Sequence, residues 1–348
     1  MESGASRTLM LWIAFVALTA LLVMYELFSI IGIIDEAVAF QSAGANTRIV
    51  NAPSRIDGAA CDALSREHDM QSAAFRAEPT QLKISAMKSV PLEQWIATPG
   101  IAAVLAATDS EGRPATGAGA LVSEQVVELL GSGGIPIGTN SGKLTIAGVF
   151  PHPDDGRSTG IGFSAVYPDV VQEAPYDQCW VKSWPEHPEA LSLLNSVVIP
   201  STDPDVEPAQ LTQWNTTLGA SFDGAHQFAY RLSRFTSYVS LLIGVSLGFF
   251  AVRTRRLEIA SALHAGVSTR ALVAIQLLQQ SVWVFLASVV VGSAAWVVAV
   301  THRGSLESLM DAASRIIVLG GIGALGGVIA AVFTIRERAL FMYFQNRS

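Results

Sequence analysis

The chain has 348 residues, half of them apolar and only 15% charged, with a mean hydropathy of +0.41 and a formal net charge of −7. A soluble domain of this length would hardly stay dispersed with so apolar a composition, and the acidic balance excludes a nucleic-acid-binding surface. The apolar excess is concentrated in four runs, over 9–34, 233–253, 271–300 and 316–336, each near the ~20 residues a helix needs to cross hydrocarbon.

The first run predicts an anchoring helix. Ala37-Val38-Ala39 has the small-residue pattern of a signal-peptidase site, so a cleaved signal is the rival reading. The run before it exceeds the ~7–15 apolar residues of a signal core, and a single Arg7 leads it, which favours the anchor. Glu26 is the one acid inside the run. It either sits at the interface beside Tyr25, as a belt residue, or serves a substrate path or a partner such as Arg231 or Arg234, because an acid in hydrocarbon is costly unless paired or wet. Leu27–Phe40 continues the apolar helix, and Phe222–Arg234 reads as a helix running straight into the second span. Together they predict a stalk.

Residues 35–232 have ordinary globular composition and carry 23 Asp/Glu against 11 Lys/Arg. Strands are predicted over Thr47–Ala52, Gln81–Val90, Ile101–Ala107, Lys143–Phe150, Ser164–Tyr167 and Gln178–Trp184 from short apolar or alternating runs bounded by turn residues. Asp57 is placed to cap a helix through Leu64, and Ser123 to cap EQVVELL, which stops at Gly131. The mixed order argues for an α+β domain inserted between the first and second of four membrane helices. Segment 201–220, rich in Pro and Asp, reads as irregular.

Cys61 and Cys179 are the only cysteines, and both fall in this domain. They predict one disulfide in an oxidising compartment, the alternative being two buried thiols. Gly138-Thr-Asn-Ser-Gly142-Lys143 resembles a phosphate loop but is one residue short and lacks the following Ser/Thr, so it reads as a hairpin turn after Ile135-Pro-Ile. His152, Asp154 and Asp155 form a candidate cation loop, against which stands a plain Pro-rich turn. The sequence contains no His-Glu-x-x-His pattern, and its one Gly-x-Ser-x-Gly spacing, Gly244-Val-Ser246-Leu-Gly248, falls inside an apolar run; neither a catalytic set, a metal nor a cofactor is expected.

Between the second and third runs, 254–270 is short, basic and amphipathic. Leu257, Ala260 and Leu263 recur at helical spacing while Arg256, Glu258 and Ser261 point elsewhere. Arg253, Arg255, Arg256 and Arg270 place it in the cytoplasm, and Arg336, Arg338 and Arg347 do the same for the tail, against Arg303 alone in the opposite short loop. Both termini are therefore expected inside and the acidic domain outside. Helices below ~12–15 residues are marginal alone, so this one is expected to gain its order from a cytosolic partner, with Gly266 ending it. Gly244 with Gly248, and Gly323 with Gly327, form small-xxx-small pairs suited to packing within one subunit or to a dimer interface.

The segment Arg256-Leu-Glu258-Ile259-Ala260, followed by Gly266-Val-Ser268-Thr-Arg270 and a leucine-rich span, resembles the coupling region of FtsX-like, MacB-type ABC transporter permeases. Gly119-Ala-Leu-Val-Ser123-Glu, Glu128-Leu-Leu-Gly131 and Leu144-Thr-Ile-Ala-Gly148-Val149 are similar to that family's extracytoplasmic core. Family members usually have an Arg-Ala-Leu-Gly core where this chain reads Leu263-His264-Ala265-Gly266, and an amphipathic helix where eight residues precede the first span here. The resemblance implies a permease subunit, paired with itself or a second permease in the membrane lipid. A cytosolic ABC ATPase would be its partner, coupled through Arg256, Glu258, Ile259, Leu263, Gly266 and Arg270. Export or extraction of a peptide, drug, haem or lipid-like substrate would follow; the alternative is an anchored receptor or a cell-wall-hydrolase regulator without transport.

Overall fold

The computed structural model describes residues 4–67, 70–84, 91–116, 118–130, 137–139, 142–169, 174–186, 189–302 and 305–335. Arg303, the tail arginines 336, 338 and 347, the predicted stop at Gly131, and residues 135 and 136 of the Ile135-Pro-Ile segment lie outside them. The chain divides into two compact units, Glu36–Phe222 and the remainder.

The inserted unit is built on a mixed eight-stranded sheet. In chain order its elements are the end of α1 (Gly4–Ser42), β1 (Thr47–Ile56), α2 (Gly58–Glu67), β2 (Met70–Lys83), β3 (Pro91–Ala97), α3 (Ile101–Val104), β4 (Ala120–Ser123) and α4 (Glu124–Leu130). There follow β5 (Ile137–Thr139), β6 (Gly142–Leu144), β7 (Ile146–Phe150), β8 (Ser164–Pro168), β9 (Tyr176–Ser183), α5 (Ala190–Ser196) and β10 (Gln210–Gln213). The sheet order is β10-β1-β9-β2-β3-β8-β4-β7, with β3–β8 and β4–β7 parallel and the other pairs antiparallel. β5 and β6 form a separate antiparallel pair in the register Ile137↔Leu144 and Thr139↔Gly142, so Gly138, Thr139, Gly142 and Lys143 of the loop that mimics a phosphate cradle lie on paired strands, and residues 140 and 141 lie outside the described residues.

Side chains alternate across the sheet with period two. Ile49, Ala73 and Trp180 face a core with Phe75, Trp214 and α3, while Val50, Ala74 and Cys179 face another with α2, α5, Met70 and Tyr176. Cys61 on α2 and Cys179 on β9 are bonded, with a Cα–Cα distance of 6.0 Å, and are fully buried. The cross-link closes a loop of 118 residues and pins α2 to a central strand. The helix starts behave as their capping residues predict. Asp57 Oδ1 accepts from the amides of Ala59 and Ala60, at 2.9 and 3.0 Å, and Ser123 Oγ accepts from Val126 N–H at 3.3 Å.

Several strand assignments are corrected. Ile101–Ala107 is not a strand but the short α3 and a turn: Ile101 and Val104 lie one helical turn apart, both buried, and Ala106 at φ 53° breaks the path. The Gln81–Val90 strand is displaced, since β2 spans Met70–Lys83 and 85–90 lie outside the described residues. β3 was not foreseen, nor was β10 within the segment read as irregular.

The second unit comprises α1 up to Asp35 and the chain from Asp223. It holds α6 (Gly224–Tyr230), a 3₁₀ turn at Leu232–Phe235, α7 (Thr236–Arg253), α8 (Arg256–His264), α9 (Thr269–Thr301) and α10 (Leu306–Thr334). Four helical segments, Leu9–Ser42, Gly224–Arg253, Thr269–Thr301 and Leu306–Thr334, are long and apolar enough to cross a membrane. The approach to α7 is not one straight helix. It breaks at Arg231, whose ψ of 136° is extended.

α7 and α10 run in the same direction along a seam of small residues. Thr236, Ser240, Gly244, Gly248 and Val252 recur every fourth position and are buried. A Cβ on Gly244 would fall on the Gly320 carbonyl, one on Gly248 on that of Ala324, one on Gly323 on that of Leu241 and one on Gly327 on that of Val245. Ser240 Oγ donates to the Ile316 carbonyl at 2.9 Å, so the register places each α7 residue beside its counterpart 76 positions on. Both small-xxx-small pairs thus pack within one chain, the first of the two readings of these glycines. α1 packs through Val23, Leu27, Ile30 and Ile31 against Val291, Ala295 and Ala299 of α9 and Leu309, Ala313 and Ile316 of α10.

Candidate coupling site

At the end of the helical unit where α7 leaves and α9 enters, α8 forms a short strut. Its amphipathic sequence has only two fully buried members, Ile259 at 3% exposure and Ala260 at 0%. They pack with Val252 of α7, Leu272 of α9 and Val328, Ala331, Val332 and Ile335 at the end of α10, and Ala262 and Leu263 lie partly against the same cluster. Burial of this kind contributes roughly 1.5–3 kcal/mol per large side chain, enough to hold a nine-residue helix that is unstable alone. The order of α8 therefore comes from its own chain and does not require a partner. Ile259, taken from sequence as a coupling contact, faces inward.

The outer face is left for recognition. Glu258, Ser261 and His264 are exposed, as are Arg253, Arg255 and Arg270 at the strut's ends. Arg255 Nε binds Glu258 Oε2 at 2.8 Å and its Nη1 reaches Gln279 of α9 at 3.0 Å, which ties the first turn of α8 to the neighbouring helix. Arg256 is half-buried and already engaged.

Gly266 has φ +88°, a region a β-branched side chain resists. The amide of Gly266 donates to Leu263 O at 3.0 Å and that of Val267 to Ala262 O at 3.1 Å. These two bonds are the paired closure of a Schellman end. The next helix starts at once, with Ser268 Oγ accepting from Ala271 N–H at 3.3 Å. No atom lies within 4 Å of a Cβ built on Gly266, so backbone conformation alone demands glycine there.

A second polar arrangement lies toward the opposite ends of these helices. Glu26 is 4% exposed, and its Oε1 accepts from Arg231 Nε at 3.1 Å and Nη2 at 2.7 Å. The guanidinium lies 3.7 Å over the Phe228 ring and donates to the Phe228 carbonyl. Among the alternatives for Glu26, the structure chooses Arg231, across 205 residues of sequence. Sequence reasoning missed Gln280, a buried amide in α9.

The remaining candidates are structural. His152 is buried, 3.3 Å from the Ser158 carbonyl through Nε2, and Asp155 pairs with Arg157 at 3.2 Å. Arg157 in turn lies 4.8 Å over Trp214 and donates to the Ser42 and Pro151 carbonyls. Among the described residues no three His, Cys, Asp or Glu side chains are grouped as a metal would need. Burial raises the pKa of Tyr167 above its usual value, and burial followed by the nearby Arg157 charge lowers that of Lys182.

These features define a polytopic membrane protein of α+β class, with a disulfide-bonded mixed-sheet domain inserted between the first and second of four long apolar helices. No family model matches the chain, and no curated protein matches it at sequence level. Among solved structures it is similar to the periplasmic region of MacB from Actinobacillus actinomycetemcomitans, at 10% identity and a TM-score of 0.36, over 50% of this chain and 91% of that one. It is also similar to a domain of a putative permease protein from Porphyromonas gingivalis, at 16% identity and a TM-score of 0.32, over 50% of this chain and 92% of that one.

Proposed function

We propose that the chain is the membrane subunit of an ABC transporter of the MacB/FtsX type. In this reading a separate cytosolic ATPase pushes on the exposed face of α8, and the helices pass that motion to an extracytoplasmic domain that exports or extracts a peptide, drug, haem or lipid-like substrate. Both termini are then cytoplasmic, the chain performs no catalysis itself, and it works as a pair of permeases. The carrying observation is that α8 is fixed to three helices through Ile259 and Ala260 while Glu258 and Ser261 stay uncovered. A strut joined to the ends of α7, α9 and α10 transmits force, whereas a loose basic loop would only set topology. The resemblance of the 256–270 segment to permease coupling regions supports the same reading.

The test is purification of the tagged chain from its native membrane. An ABC ATPase should co-purify, with its hydrolysis stimulated by the wild-type chain. Glu258→Arg should abolish stimulation while leaving membrane insertion and the disulfide intact. Recovery without any ABC ATPase, or full stimulation by the variant, would favour an anchored receptor or hydrolase regulator.

A further inference from the structure

Beside the start of α10, the groove between α7 and α10 opens into a cleft of about 400 Å³ lined by Arg234, Ser237, Tyr238, Ser314 and Arg315 above Val318 and Leu319. The seam register fixes its depth. Because Ser240 bonds the Ile316 carbonyl, Arg315 is abreast of Val239, and the uncharged runs of the two helices begin at Ile316 and Phe235. From Ile316 onward α10 alone is long enough to cross roughly 30 Å of hydrocarbon. Both arginines and Tyr238 therefore stand at the level of lipid headgroups, where aromatic and cationic anchors gather.

The cleft carries unbalanced charge. Arg315 is held by Asp311 at 2.6 Å yet remains 69% exposed, and Arg234 stacks 4.7 Å over Phe235 and donates to the Ala229 carbonyl. Among the described residues Asp311 is the one carboxylate ion-paired with either guanidinium. Exposed cations facing lipid are costly without an anion, and guanidinium forks match a phosphate with two parallel donors. One helical turn beyond Tyr238 and Val318 respectively, Leu242 and Ile322 are 65% and 56% exposed and continue an apolar track.

We propose that this cleft binds an anionic phospholipid from the leaflet that meets the first turns of α10. Its phosphate is taken by Arg234 and Arg315, with Tyr238 at the glycerol level and acyl chains along Val318, Leu242 and Ile322. The site depends on the membrane placement of α7 and α10 and not on any ATPase. It therefore survives if the coupling reading fails.

The experiment is native mass spectrometry of the full-length protein, delipidated in detergent and titrated with phosphatidylglycerol or phosphatidylcholine of matched chains. Phosphatidylglycerol should be retained at about tenfold lower concentration. Arg234→Gln and Arg315→Gln should each remove most of that preference, whereas Arg315→Lys should keep part of it. Both side chains are exposed, so wild-type elution on size exclusion is expected for every variant. Equal retention of the two lipids, or unchanged preference in both Gln variants, would overturn the proposal. So would displacement by glycerol 1-phosphate at equal concentration, which would mark a site for soluble phosphate.

Discussion

Gly244→Ala is the most direct probe of the α7–α10 seam. The added methyl would meet backbone on every side: the Gly320 carbonyl, and the Ala324 amide nitrogen at 2.9 Å. Ordinary carbon contacts are ~3.5–4.0 Å, so the helices must part by roughly 1 Å, and no side chain can rotate away to relieve them. Overpacking a well-fitted interface costs typically about 1–3 kcal/mol, against which alanine gains about 0.5–1 kcal/mol of helix preference. The net loss should be about 1–2 kcal/mol. The same holds for Gly248, Gly323 and Gly327, each facing a carbonyl of the partner helix. Gly292→Ala and Gly326→Ala, where nothing lies within 4 Å, should be neutral or stabilising. Once one methyl has parted the helices, a second at Gly323 should cost less than it does alone, so the pair should be sub-additive. Thermal unfolding in detergent, followed by the soluble fraction on size exclusion, measures this series. Equal destabilisation at Gly244 and Gly326 would refute an intrachain seam, and loss of oligomer without loss of stability would return these glycines to a dimer face.

Two further outcomes are expected. Glu26→Gln should destabilise the helical unit by about 3–5 kcal/mol, because one partner of a buried ion pair is removed and Arg231 is left without its counter-charge. The charge-swapped pair Glu26→Arg with Arg231→Glu should recover part of that loss in a double-mutant cycle on detergent stability, and no recovery would place the cost elsewhere. The depressed pKa of Lys182 means that the folded protein sheds this proton before the unfolded chain does, whose value is 10.5. Stability should accordingly rise with pH from the lowered value up to 10.5 and then level off, and Lys182→Met should flatten the rise in tryptophan-monitored melts.

What could be read from the chain depended on how local the signal was. Apolar runs of this length announce themselves, and capping by Asp57 and Ser123 involves residues two or three positions away. Ile101–Ala107 failed because a short alanine-rich apolar run has neither period, and only the burial of Ile101 and Val104 on one turn decides for helix. β10 was hidden because it pairs with β1, some 160 positions earlier, beside a stretch whose Pro and Asp content reads as loop. Small-xxx-small spacing is the same for a partner within the chain and one outside it, so the direction faced by Gly244 and Gly248 was not legible. In the coupling segment the exposed character of Glu258 was readable, but the inward turn of Ile259 needed the end of α10 for its explanation.

The seam also limits how the helical unit can move. Where backbone meets backbone through glycine and alanine, there are no long side chains to act as lubricant or to exchange rotamers during a slide. A one-residue slip would bring Cβ atoms of Leu241 or Val245 onto positions that tolerate only hydrogen. α7 and α10 consequently behave as a single two-stranded rod with one allowed register. Of the relative motions open to a four-helix assembly, sliding of α7 along α10 is removed, and the pair can shift or tilt against α1 and α9 only as one body. α8 packs against the end of that rod, so under the proposed coupling a push on α8 would move α7 and α10 together and not one past the other.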